Sequence, residues 1–174
     1  QYDSMEKMME LERAGIVDGY SMAPITKAGF HAAGLDFSSE FEVFAKFYGV
    51  PKCASVIKCE NIFRSTVVGH CAFREIVERL TPDGIVDTAH ALLDTMAIFL
   101  GRENCRIAVA ALNPHAGEDG LFGNEEATII QPAIDRLLAE GNQVIGPCPA
   151  DTVFLKARSG EVGGVVFLYH DQGN

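Results

Sequence analysis

The sequence predicts an α/β protein built on a largely parallel sheet. Apolar runs with strand character alternate with segments of helical periodicity. The run at residues 106–112 is apolar after its first residue, as a strand covered on both faces should be. Three histidines, His70, His115 and His170, each stand just past such a run, at the strand ends where open α/β sheets gather their ligands.

Taken in order, Met5, Met8, Met9 and Leu11 recur at helical spacing, and Gly15 suits the position after a helix. Residues 16–22 then read as a strand and 23–27 as a loop. Residues 28–33 form a short helix closed by Gly34, and 40–48 another ended by Gly49. Residues 51–61 are less regular, while the β-branched content of 63–68 predicts a strand. Two helices follow over 73–80 and 85–100, with Pro82 near the start of the second. After the strand at 106–112, a helix is expected over 125–140. Its apolar stripe runs through Ile129, Ile130, Ala133, Ile134, Leu137 and Leu138, and Gly141 stops it. Residues 143–145 read as a short strand, Asp151 as the cap of a helix reaching 158, and 162–169 as the last strand. No repeat, low-complexity segment or dividing linker is visible.

The chain has 174 residues, 48% apolar and 22% charged, enough for a packed core. Its 14 Lys+Arg against 24 Asp+Glu give a net charge of −10. That balance argues against nucleic acid or an anionic membrane and for a small-molecule partner. Five cysteines without a CxxC pair read as reduced thiols of a cytoplasmic protein, with Cys105 and Cys148 packed as small hydrophobes. No apolar stretch of about 18 residues suggests a transmembrane span. The chain opens without methionine and stops just after a motif, so residues 1–174 are expected to be the central part of a longer enzyme, lacking its N- and C-terminal segments.

Neutral imidazole is a common ligand for zinc and related ions, so His70, His115 and His170 are candidate metal ligands. Position alone leaves open that each is separately satisfied within the fold. His31 and His90 lie on expected helices and read as structural or solvated. Asp171 can face substrate beside His170, whereas Asp151 is either a cap or a site residue. Lys27 is either an anion partner or a solvated lysine. Glu118 can orient His115, and Glu125 and Glu126 suit the positive end of a helix dipole. No GxGxxG follows a strand, and neither a P-loop nor a nucleophile elbow is present.

Asn113-Pro114-His115-Ala116-Gly117-Glu118 together with Tyr169-His170-Asp171-Gln172-Gly173 resembles the 4-hydroxythreonine-4-phosphate dehydrogenase family of pyridoxal phosphate biosynthesis. Ala23-Pro24-Ile25-Thr26-Lys27 is similar to the family's APINK, His70 to its histidine after a strand, and residues 146–152 to its GPxPADT. The resemblance implies an isocitrate/isopropylmalate dehydrogenase-like α/β/α sandwich and a homodimer. It further implies a divalent metal (Zn, Mg, Mn or Co) held by His70, His115 and His170 across the subunit interface. The implied reaction is oxidation of a secondary alcohol by NAD or NADP, followed by decarboxylation. Asp171 and Asp151 are then candidate catalytic residues and Lys27 a substrate contact. Glu40 and Phe41 stand where the family has a substrate-binding His-Thr pair. Leu121-Phe122-Gly123 is closer to the related dehydrogenases of cis-dihydrodiol carboxylates such as terephthalate dihydrodiol. A noncatalytic, degenerate metal-binding scaffold is the alternative from a different class. The family's downstream lysine and distal cofactor region fall outside these residues, so this segment alone is expected to be inactive.

Overall fold

The structure, a computed structural model, describes residues 2–37, 39–50 and 53–174. It divides into two compact units, Gln1–Ala54 and Ser55–Asn174, a division the sequence does not announce. Ser38, Pro51 and Lys52, which fall in segments considered above, lie outside the described residues.

The first unit is helical: α1 (Tyr2–Arg13), α2 (Lys27–Ala32) and α3 (Glu40–Tyr48). Met5 and Met9, one helical turn apart, are buried with Phe30, Phe37 and Val43. Arg13 donates to the Phe47 carbonyl at 2.8 Å and lies over that ring, 4.5 Å from its centroid. Gly49 ends α3 at φ 69°, the left-handed conformation expected of a helix stop. The strand expected at 16–22 is absent. All five described strands belong to the other unit, so this segment has no ladder to join.

In the second unit β1 (Val56–Cys59) pairs antiparallel with β2 (Ile62–Val68). The irregular reading of residues 51–61 therefore missed a strand. Apart from Val56, β1 is exposed along its length, so no half-buried alternation marked it. The helix expected at 73–80 is a 3₁₀ turn (Phe73–Glu75) followed by α4 (Ile76–Arg79), and Leu80 is extended. α5 (Pro82–Leu100) starts three residues earlier than expected, where Thr81 Oγ1 accepts from the Gly84 amide at 3.1 Å and Pro82 needs no donor partner. Its Ile85, Ala89, Leu92 and Met96 form one fully buried stripe.

β3 (Arg106–Ala110) leads through the site loop to a π-helical turn, Glu126–Ile130, and then to α6 (Gln131–Ala139). One continuous helix was expected there. Pro132 cannot donate to the carbonyl four residues back, and the change of hydrogen-bonding register falls beside it. β4 (Gln143–Cys148), α7 (Val153–Arg158), β5 (Gly164–Tyr169) and α8 (His170–Gly173) complete the chain.

The strand order is β1-β2-β5-β3-β4, parallel throughout except for β1 against β2. Successive residues of β3 and β5 face opposite layers. Ile107, Val109, Val166 and Leu168 pack with the α5 and α6 residues, whereas Ala108, Ala110, Val165 and Phe167 pack with Val153 and Ala157 of α7. This is an α/β/α arrangement. The steps β2 to β3 and β3 to β4 run one way with helices on one face; β4 to β5 reverses with its helix on the other, as uniform crossover handedness requires. The parallel strands consequently end on one edge, and β5, between β2 and β3, brings the loops after those three strands together.

Between the pairs Ala108↔Ile145 and Ala110↔Cys148 the β3–β4 register shifts by a bulge. Gly146 lies in it at φ 143°, and a Cβ there would stand 2.6 Å from the Val109 carbonyl oxygen. Gly146→Ala is therefore expected to destabilise the protein by more than about 1 kcal/mol in urea unfolding.

Candidate functional site

Val68 is in register with Tyr169, so the chain leaves β2 and β5 side by side. His70 stands two residues past β2, and His170 opens α8 directly after β5. Their ring centroids are 4.6 Å apart. His170 Nδ1 hydrogen-bonds Asp171 Oδ1 at 2.7 Å; with Nδ1–H donating to the carboxylate, Nε2 keeps its lone pair for a ligand. Asp171 thus partners His170. A cavity of about 220 Å³ is lined by both imidazoles, Asp171 and Cys71.

His115 is reached by a different construction. Its segment leaves β3 at Ala110 and meets Glu126, which is only 7% exposed. Glu126 Oε1 accepts from the amides of Leu112 (2.8 Å) and Asn113 (2.7 Å), and Oε2 accepts from Asn113 Nδ2 at 2.9 Å. The chain then runs through left-handed conformations at His115 (φ 53°), Ala116 (58°), Gly117 (81°), Glu118 (45°) and Asp119 (54°). Such backbone costs roughly 1–2 kcal/mol per non-glycine residue. Hydrogen bonds to a charged acceptor, roughly 1.5–3 kcal/mol each, are of the size needed to hold it. At Gly117 a Cβ would lie 2.8 Å from Glu126 Oε2, so only glycine fits. Glu126 is therefore not a surface carboxylate favouring a helix dipole. Glu118 is exposed, and no hydrogen bond joins its side chain to His115 among the described residues.

Gln172 ties the two strand ends together. It accepts from the Leu168 amide at 2.8 Å and donates to the Ala111 carbonyl at 2.7 Å. Below this latch opens a larger cavity of about 530 Å³, whose apolar wall includes Phe73, Ile76, Val77, Leu112 and Tyr169. Its polar lining comprises Asn113, His115, Asp151 and Gln172. Phe73, Ile76 and Tyr169 line both cavities. Asp151 is exposed in the turn after β4. The residue before α7 is Thr152, with no side-chain cap bond, so the cap reading of Asp151 gives way to a place in the cavity wall.

The structure thus joins His70 with His170 and Asp171, and His115 with Asp151, in adjoining cavities. Among the described residues no cluster of three or more His, Cys, Asp or Glu side chains is arranged to hold one ion. Lys27, Glu40 and Phe41 belong to the first unit. Lys27 opens α2, and its side chain lies outside the described residues. Glu40 is half-buried at the start of α3, and Phe41 packs edge-on against Phe44 at 6.5 Å. His31 is exposed and His90 pairs with Glu140 at 2.6 Å, in keeping with their structural reading. Sequence reasoning missed the roles of Glu126, Gln172 and Phe73. Gln172 stood inside a quoted motif, but Glu126 acts 13 positions from Asn113, beyond any local periodicity.

Imidazole and carboxylate groups gather at the carboxyl ends of the parallel strands of this α/β fold, the edge where open sheets of this class carry their ligand sites. The family model described as pyridoxal phosphate biosynthetic protein PdxA matches residues 1–174, and the chain belongs to that family. It is 38% identical over 173 residues to D-threonate 4-phosphate dehydrogenase of Pectobacterium atrosepticum, covering 99% of this chain and 53% of the relative. The crystal structure of 4-hydroxythreonine-4-phosphate dehydrogenase from Klebsiella pneumoniae superposes with a TM-score of 0.90 at 34% identity, over 99% of this chain and 52% of that one. A terephthalate 1,2-cis-dihydrodiol dehydrogenase from Burkholderia xenovorans gives 0.76 at 25% identity, over 97% and 53%. The chain spans about half the length of the curated relatives it matches. No helix among the described residues is long and apolar enough to cross a membrane.

Burial pushes the Glu126 carboxyl up, but the hydrogen bonds from Asn113 and Leu112 outweigh it, and the pKa lies below the ordinary value of 4.5. A carboxyl lowered on folding contributes stability that is full above its unfolded pKa and lost as pH falls through the folded one. Urea titrations should therefore show a loss of stability below pH 4.5 that is weaker in Glu126→Gln. At neutral pH that variant should be less stable by about 1–3 kcal/mol. Gln172→Ala, which strands the Ala111 carbonyl and the Leu168 amide, is expected to cost a similar 1–3 kcal/mol in the same measurement.

Proposed function

We propose that this chain is the central part of an oxidoreductase that oxidises a secondary alcohol of a small hydroxy acid phosphate, using a divalent metal and NAD or NADP. Decarboxylation follows for 4-hydroxythreonine 4-phosphate. The observation that carries this reading is the His70–His170 pair, with one imidazole oriented by Asp171, beside a cavity lined by His115 and Asp151. Membership of the family and the dehydrogenase names of its relatives support it. The finer fold assignment that accompanies it is the isocitrate/isopropylmalate dehydrogenase-like sandwich.

The residues fit a metal in kind. Two neighbouring imidazoles suit zinc or cobalt better than the oxygen-preferring manganese or magnesium, and the Asp171 bond fixes which nitrogen of His170 is free. His115, in the adjoining cavity, would complete the set across a homodimer, one chain's pair meeting another's third ligand. A bound divalent ion would supply Lewis acidity toward the substrate oxygen, and a nicotinamide the hydride acceptor. Within this chain, Asp151, in the lining of the larger cavity, would take the hydroxyl proton from a substrate bound there, and Phe73 and Tyr169 would give that substrate an apolar wall. Lys27, Glu40 and Phe41 are proposed substrate contacts from the first unit. The protein is proposed to act in the cytoplasm.

A second reading, a cis-dihydrodiol carboxylate dehydrogenase, is favoured by one observation. The wall built from Phe73, Ile76, Val77 and Tyr169 is apolar, and no lysine or arginine lines the cavity among the described residues, which suits a carbocycle better than a phosphate. The test is reduction of NAD or NADP by the metal-loaded full-length protein with D-threonate 4-phosphate, 4-hydroxythreonine 4-phosphate or terephthalate dihydrodiol. Turnover of a phosphate ester, with loss of at least about a hundredfold in His70→Ala, His115→Ala and His170→Ala, is expected. Turnover of the diol alone favours the second reading. Failure of every substrate, or retained activity in all three variants, overturns both.

A further inference from the structure

The segment carrying His115 is attached to the fold in an unusual way. Four non-glycine residues, His115, Ala116, Glu118 and Asp119, have left-handed backbone, which the chain leaves unless neighbouring contacts hold it. Its own backbone bonds are long: Ala116 N to Asn113 O, Leu121 N to Glu118 O and Phe122 N to Gly117 O are all 3.2 Å. The short bonds at its root, 2.7–2.9 Å, go to Glu126, and Asn113 Nδ2 also donates to Glu125 Oε2 at 2.7 Å. Glu126 is buried at the start of the π-helical turn. It therefore transmits the position of the turn to Leu112, Asn113 and, two residues on, His115.

We infer that Glu126 is a positioning residue for the candidate metal ligand His115. It touches neither the imidazole nor the larger cavity, and it acts by holding the Leu112–Asn113 amides and seating Gly117 against its second oxygen. This inference rests on the reading of His115 as a ligand. The chemistry requires an unprotonated carboxylate, since one oxygen serves two amides while the other takes the Asn113 side chain. A glutamine of the same length would turn a donor toward Asn113 Nδ2 or toward the two amides. An aspartate would keep the charge but fall one methylene short.

The test uses the full-length protein, with Glu126→Gln and Glu126→Asp compared with the parent and with His115→Ala. Hydrogen exchange on the metal-free protein reads the segment without reference to any metal. Residues 111–121 should exchange about tenfold faster in both Glu126 variants, with β5 unchanged. Titration with Co²⁺, followed by its visible absorption, should show roughly 10- to 100-fold weaker binding and an altered spectrum in the Glu126 variants, and a larger loss in His115→Ala. Unchanged exchange at residues 111–121 overturns the inference. So does Co²⁺ binding equal to the parent's in folded Glu126 variants while His115→Ala is impaired, and in that case the metal reading stands. If the parent binds no Co²⁺, or His115→Ala binds it as the parent does, the metal assignment of His115 fails and the positioning role falls with it. The aspartate variant decides the matter if the glutamine variant does not fold.

Discussion

The interior strand β3, between β5 and β4, must stop pairing and release its chain into a loop without leaving its last amides unsatisfied in the protein interior. Glu126 meets that constraint. Its carboxylate arrives from the next helical segment and takes the Leu112 and Asn113 amides that would otherwise seek a strand partner. The apolar run therefore continues to Leu112 while the strand ends at Ala110. The same carboxylate lies where any side chain at residue 117 would collide with it, which leaves glycine there and lets the loop fold back over the strand end.

Around that fixed point the remaining site residues fall into place through strand order. β5 lies between β2 and β3, so the loop after β5 borders both of the others. His170 meets His70 on one side, and Gln172 reaches the Ala111 carbonyl on the other. A glutamine suits this bridge because it must accept from one backbone and donate to another, which neither a glutamate nor a lysine can do. Two cavities result, divided by Phe73, Ile76 and Tyr169. Phe73 and Tyr169 pack edge to face at 5.5 Å, so the partition is itself an aromatic contact.

Elements with a strong repeating pattern were legible from sequence. The buried stripe of α5, the apolar runs of β2, β3 and β5, and the glycine stops after α3 and α6 follow from local periodicity and backbone freedom. β1 was not, because a strand exposed on both faces carries no alternation. The segment 16–22 has strand-like composition but no partner in its unit. The expected single helix over 125–140 changes register beside Pro132, where a missing donor interrupts the ladder. The two-unit division left no trace in composition, since apolar content persists across the boundary near residue 54.

For the site, the sequence by itself determined which chemical groups are present and that His70, His115 and His170 follow strands, because residues just beyond an apolar run emerge at a sheet edge. It also carried family membership, since the ordered motifs span most of the chain. Tertiary structure alone decided which groups share a cavity. That depends on strand order, which sets β5 between β2 and β3, and on a left-handed loop that takes His115 into the neighbouring cavity. It also decided that Glu126 and Gln172 hold the site together. Both act on backbone groups far away in sequence, and no local pattern records a hydrogen bond closed only when the sheet is assembled.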